Sequence, residues 1–238
     1  MNKTQTISIL DYKKTVLTLK ENLQQLGNFS QQLGLTEISE QSQHLSHKLA
    51  DNGFSIAVFG EFNKGKSTFI NALIGQEVLP TDILATTATT TRIIHKRYIG
   101  AKICFKNGHE KDIPLKELTN YITKLSENST ARSANIKEAI ISYPLPFAQE
   151  NHIEIVDTPG LNDDAEMTGR TLSIIQNCDI AIMVISAQTP FSMSEVEFLK
   201  KLLNQGIAKI LFVVNQIDLY SSIDAQRIIE MIDPTFRR

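Results

Sequence analysis

Cysteine is scarce in this chain of 238 residues: there are two, Cys104 and Cys178, each in or beside an apolar run and without metal-ligand spacing. That excludes a thiolate metal cluster, and it reads as two buried reduced thiols in a cytoplasmic protein rather than a disulfide. Net charge is nearly absent too, at −2, so bulk electrostatics recruit neither nucleic acid nor an acidic membrane, and any affinity for anions must be local. Long apolar runs are missing. IAIMVI and ILFVV are strand-length and far short of a membrane span. The opening MNKTQTISILDYKK lacks the apolar core of a secretion signal, Asn2 stands where acylation needs glycine, and no cysteine sits near the C-terminus. No repeat of fixed period or low-complexity tract is visible.

What is present is ordinary globular composition, 42% hydrophobic and 21% charged. Two textures divide it. In residues 1–53, Ile9, Tyr12, Val16, Leu19, Leu23 and Leu26 follow the alternating three-and-four spacing of a helical seam, with Gly27 and Gly34 as punctuation. A second helix is expected over 36–52, with Ile38, Leu45 and Leu49 as its stripe and Ser42 interrupting it. From Phe54 to Arg238, short β-branched runs alternate with helical stretches. Strands are expected at 54–59, 89–99, 101–105, 152–156, 179–186 and 209–214, and helices at 66–75, 192–205 and 222–232. Residues 115–127 and 132–141 read as helical or irregular. The pattern predicts an α/β fold, a mostly parallel sheet covered by helices on both faces and preceded by a helical hairpin.

The chemistry gathers after the strands. FSIAVF is followed by Gly60–Thr68, GEFNKGKST, which fits G-x-x-x-x-G-K-[ST] between a strand and a helix. Glycines let successive backbone N–H groups point at anionic oxygens, and the helix start adds its positive dipole end. Gly60, Asn63, Lys64, Gly65, Lys66, Ser67 and Thr68 are therefore the candidate phosphate-loop residues, with Lys66 on the outer phosphates and Ser67 on magnesium. After IEIV comes Asp157-Thr158-Pro159-Gly160, a carboxylate for the magnesium shell and a glycine N–H for a terminal phosphate. After KILFVV comes Asn215-Gln216-Ile217-Asp218, where the Asp218 carboxylate can accept the paired donors of guanine that adenine lacks. The threonine-rich segment between these motifs offers Thr86 or Thr87 as a hydroxyl for the metal and a backbone group for the attacking water.

Taken in order, GEFNKGKSTFINALIG, VLP…ATTATTTR, DTPGLND and NQID resemble the GTPase domain of the dynamin superfamily, nearest in character to bacterial dynamin-like and mitofusin-like proteins. The resemblance spans residues 54 to about 232. It implies a P-loop GTPase that hydrolyses GTP to GDP with Mg²⁺, dimerises across the nucleotide and often works on membranes. It assigns Lys66 to phosphate, Ser67, Thr87 and Asp157 to magnesium, Thr87 to the attacking water, Gly160 to the second switch, and Asn215, Gln216 and Asp218 to the base. Three departures stand out. Gln216 occupies a position that is usually lysine, Phe62 replaces a catalytic glutamine, and Leu161 follows Gly160 where a polar side chain could hold water. Asn63 resembles the loop asparagine of potassium-activated GTPases, which adds K⁺ as a candidate cofactor. A nucleotide-binding module that does not hydrolyse is the alternative. No basic amphipathic helix or apolar paddle is apparent, so a membrane partner rests on the family likeness. The last sequence-level expectation is a truncated domain: no further strand follows Asp218, which would leave KILFVV at an open sheet edge.

Overall fold

The computed structural model describes residues 9–50, 54–81, 89–123, 135–145, 147, 153–161, 165–207 and 209–236, with backbone alone for 9–13, 47, 48, 50, 165–167 and 233–236. The chain divides into two compact units, Met1–Gly53 and Phe54–Arg238.

The first unit is a helical hairpin, α1 (Ile9–Gln32) and α2 (Thr36–Ala50), reversed through Gly34 at φ 73°. Its contact face is not the expected leucine seam. Leu19 and Leu26 are exposed, Val16 and Leu23 half-buried, and the side chains of Ile9 and Tyr12 lie outside the described residues. The buried positions are Gly27, Ser30, Ser39, Ser42 and Ser46. Gly27 does not end α1. A Cβ placed on it would stand 3.5 Å from the Ser42 Cβ, and the Ser39 hydroxyl donates to its carbonyl at 3.1 Å. Small side chains let the two backbones approach, and the hydroxyls of Ser39 and Ser42 donate to backbone carbonyls, Ser42 to Ile38 O at 2.7 Å. Ser42 is thus the centre of the interface rather than its interruption.

The second unit carries an eight-stranded sheet. Its strands are β1 (Phe54–Phe59), β2 (Thr90–His95), β3 (Gly100–Phe105), β4 (Glu110–Ile113), β5 (Ile136–Tyr143), β6 (Ile153–Asp157), β7 (Ile180–Ser186) and β8 (Ile210–Asn215), in the spatial order β4-β3-β5-β2-β6-β1-β7-β8. Helix α3 (Lys66–Ile74) follows β1 and short α4 (Thr119–Ile122) follows β4. Helices α5 (Ala165–Gln176), α6 (Met193–Asn204) and α7 (Ser222–Phe236) follow β6, β7 and β8. The arm β6-β1-β7-β8 is parallel throughout. Beyond it, β2 runs antiparallel to β6, and β3 pairs antiparallel with both β4 and β5.

Alternate residues of the central strands feed two cores. Val58, Ile182 and Val184 face the core that holds Ile70 of α3. Ala57, Phe59, Met183 and Ile185 face the one that holds Ile175, Phe198, Leu202 and Ile232 of α5, α6 and α7. One expectation is corrected. Residues 136–143 form strand β5, not a helix or irregular segment, because Ile136, Ala139 and Ile141 are buried against the first core. Strand β4 and helix α5 lie in segments to which no element is assigned from the sequence. β8 closes one end of the sheet and pairs, among the described residues, with β7 alone.

Candidate nucleotide site

Because β6, β1, β7 and β8 are parallel neighbours, their carboxyl ends open on one edge, where an open α/β sheet binds its ligands. The three loops singled out in the sequence all leave from that edge, after β1, β6 and β8.

The β1–α3 loop is built on two backbone requirements. Gly60 has φ 150°, and a Cβ there would lie 2.3 Å from the Val184 carbonyl oxygen of β7. Gly65, the residue before α3, is left-handed at φ 84°, and a Cβ there would meet Asn215 Nδ2 at 2.1 Å. Both positions exclude side chains, and this is why the chain turns without one. Asn63 is also left-handed, at φ 59°, and exposed at the loop tip beside exposed Phe62. Lys66 is buried at the mouth of α3, its Nζ donating to the carbonyls of Gly60 and Glu61 at 3.1 Å each. Ser67 is half-buried and Thr68 exposed in the first turn of α3.

Asp157 ends β6 beneath this loop. It is fully buried, and among the described residues neither carboxylate oxygen has a hydrogen-bond partner. Burial pushes its pKa up to about 7 despite the opposing pull of the Lys66 ammonium. The next residue, Thr158, ties back to β1, its N–H and hydroxyl both donating to Val58 O at 3.2 and 3.1 Å. Gly160 lies against the phosphate loop, where a Cβ would stand 3.4 Å from the Phe62 nitrogen. A buried carboxylate that makes no hydrogen bond among the described residues, with the Lys66 ammonium pulling on it, fits a hard divalent cation of the magnesium type. Among the described residues no group of three His, Cys, Asp or Glu side chains could hold a metal, so phosphate and water oxygens would have to complete that shell.

The β8 loop reaches the same place. Asn215 donates from Nδ2 to the Lys64 carbonyl at 3.0 Å and so braces the phosphate loop. Gln216 is left-handed at φ 62°, and its Oε1 accepts from the Ser186 hydroxyl, an interaction that lysine could not make. Asp218 is exposed in a short 3₁₀ turn, Ile217–Leu219. Leu161 is buried in the second core and presents no side chain to the edge. Thr86 and Thr87 lie outside the described residues.

The sequence reading missed the loop that follows β7. Lys64, counted among the phosphate residues, turns its side chain away from the cradle. Its ammonium donates to Thr189 O at 3.0 Å and Thr189 Oγ1 at 2.7 Å, and lies 3.5 Å from Glu61 and 3.9 Å from Glu195. Glu61 Oε1 in turn accepts from the hydroxyls of Ser192 and Ser194. The hint in the sequence was a helix start near Ser192 or Ser194, and the structure puts the cap at Ser192. Ser192 forms a full capping box with Glu195.

A glycine-rich loop from a central parallel strand into a helix, with a buried carboxylate on the neighbouring strand, defines a P-loop nucleotide-binding domain. The chain belongs to the dynamin family, whose model matches residues 56–217. It is 29% identical over 200 residues to a bacterial dynamin-like protein of Nostoc punctiforme, a match covering 81% of this chain and 28% of that protein. It is 29% identical over 221 residues to an uncharacterised protein of Caldicellulosiruptor, covering 92% of this chain and 54% of the relative. Among solved structures, an oligomerised bacterial dynamin pair matches its fold with a TM-score of 0.61 at 21% identity, over 85% of this chain and 31% of the other. The chain thus spans about half, or less, of the length of these relatives.

Proposed function

We propose that the Phe54–Arg238 unit binds and hydrolyses GTP with Mg²⁺ and couples the nucleotide state to pairing with a second copy. Asp157 carries the reading: it is buried with no hydrogen bond among the described residues, and such a carboxylate is costly unless a ligand completes it. Lys66 would exchange the two loop carbonyls it now holds for phosphate oxygens, and Ser67, Asp157 and Thr87 would hold the metal. Bound magnesium supplies positive charge that offsets the phosphates. The loop N–H groups and Gly160 orient the terminal phosphate, Thr87 positions water, and Asp218 selects guanine. Asn63, exposed at the loop tip, is the candidate K⁺ ligand.

Self-association and membrane remodelling follow from the family and from the relatives' descriptions. One solved pair is described as providing a mechanism for long-range sensing and tethering of membranes. Among the described residues no helix is long and apolar enough to cross a membrane.

Phosphate release from GTP and ATP, in potassium and in sodium, with and without liposomes and at rising protein concentration, tests the reading. GTP turnover that needs Mg²⁺ and is abolished by Lys66→Ala is expected. Comparable use of ATP would overturn the guanine assignment. Buried Leu161 favours a second reading, nucleotide binding without turnover, which the same assay would show as tight binding with no phosphate released.

A further inference from the structure

The edge of the sheet buries more charge than phosphate binding requires. Glu61 and Lys64 are each 7% exposed and Glu195 is fully buried, although the first two flank an exposed loop tip. An ammonium has three donors. Lys64 gives two of them to the Thr189 carbonyl and hydroxyl, and its charge is paired with Glu61 at 3.5 Å and Glu195 at 3.9 Å, all away from the cradle. Glu61 gathers two serine hydroxyls from the start of α6, and Glu195 closes that helix's cap by accepting from the Ser192 N–H at 3.0 Å. The corner carrying these partners contains Phe191 at φ 56°, a conformation that a bulky side chain adopts only when its surroundings enforce it. Its ring packs on Phe212 of β8 at 5.9 Å.

We propose that Glu61 and Lys64 are positioning residues. They bolt both shoulders of the phosphate loop to the β7–α6 corner through Thr189, Ser192 and Ser194, and so hold the Phe62–Asn63 tip and the loop N–H groups in their aim. Lys64 acts by this strut and not by touching nucleotide. The inference rests on the guanine-nucleotide reading for its affinity measurement alone.

Two measurements separate it from the alternatives. GDP and GTP affinities of Lys64→Met should fall together, by roughly tenfold, because the loop cradle serves both nucleotides. Lys64→Arg should restore much of the loss. In a cycle with Glu61→Gln and Ser194→Ala, the double variant should lose less than the sum of the singles, since both cut one connection. Loss of GTP affinity with GDP affinity intact would make Lys64 a ligand of the terminal phosphate and overturn the proposal. Hydrogen exchange of the Glu61–Gly65 amides, in full chain without nucleotide, should quicken in Ser194→Ala, a change mild enough to leave the fold in place. Unchanged exchange there would also overturn it. If the wild type bound neither nucleotide yet loop exchange responded, the guanine reading would fall and the strut would stand.

Discussion

Asp157 shows at the level of one side chain what a buried carboxyl with no hydrogen bond among the described residues costs in stability. Its carboxyl, buried and unpaired, has its pKa raised from 3.8 to about 7. In the unfolded chain it ionises near its ordinary value, so between those two pH values the folded state holds the extra proton. Stability of the metal-free, nucleotide-free protein therefore falls as pH rises through that window. Above pH 7 the penalty is at most about 4 kcal/mol, the shift converted at 1.36 kcal/mol per pH unit. Asp157→Asn removes the ionisation but leaves an amide with its own hydrogen-bonding needs, so the net gain should be nearer 1–2 kcal/mol. The expected outcome is a variant that melts higher than wild type at pH 8 and no higher at pH 4, while magnesium-dependent nucleotide binding is lost. Thermal melts in chelator across that range check it, and a wild-type advantage at pH 8 would show that the carboxylate has a partner. Asp218 differs in every respect. It is exposed, and its test is selectivity rather than stability: Asp218→Asn should shift preference from guanine toward xanthine nucleotides, measured by competition.

Among elements, the β1 loop and the sheet edge show what could be read from the chain and what could not. Loop, helix α3 and the helix start near residue 192 were legible because glycine spacing and capping chemistry are local. Strand β5 was not. IKEAIISY is covered by β2 and β3, whose pairing with it comes from far along the chain, and its charged start masks the alternation. The corner after β7 was illegible for the same reason, since Lys64 meets Thr189 only once β1 and β7 are side by side. The glycines make the loop testable. Gly75 ends α3 left-handed at φ 78° with nothing within 4 Å of an added Cβ, so Gly75→Ala should cost about 1–2 kcal/mol, the strain alone. Gly60→Ala would drive a methyl to 2.3 Å from the Val184 carbonyl, and the strands cannot part there without breaking the sheet. A loss above about 3 kcal/mol is expected, read from denaturant midpoints. Similar midpoints for the two variants would mean that the loop relaxes freely. At the far edge, Leu211 of β8 is 56% exposed on a strand that, among the described residues, is paired on one side. Leu211→Lys should leave melting unchanged and reduce concentration-dependent association measured by light scattering.

For the whole molecule the division at Gly53–Phe54 matters, because the two units are stabilised by different means. The nucleotide-site unit buries branched apolar side chains on both faces of a sheet. The hairpin buries glycine and serine and leaves Leu19, Leu26, Leu33, Leu35, Ile38 and Leu45 exposed. Burying so little apolar area contributes little, at about 25 cal/mol per Å². The hairpin is held instead by close backbone approach and by hydroxyls that find carbonyls, such as Ser39 on Gly27. Its stability should therefore respond to helix propensity and to side-chain size at one spot. Gly27 lies within α1, and an added Cβ would make ordinary contacts, 3.5 Å from Ser42 Cβ and 3.8 Å from Ser39 O. Gly27→Ala relieves the backbone-entropy cost of a mid-helix glycine, and the hairpin should gain up to about 1 kcal/mol. Gly27→Leu, with the same gain in propensity, would force the helices apart at the buried serines and should weaken them. Hydrogen exchange of α1 and α2 amides in the full chain distinguishes the two: slower with alanine and faster with leucine than in wild type, while β1 and β7 amides stay unchanged. Leucine slowing exchange as alanine does would mean that the helices are not held by their small residues, and that propensity alone sets their stability.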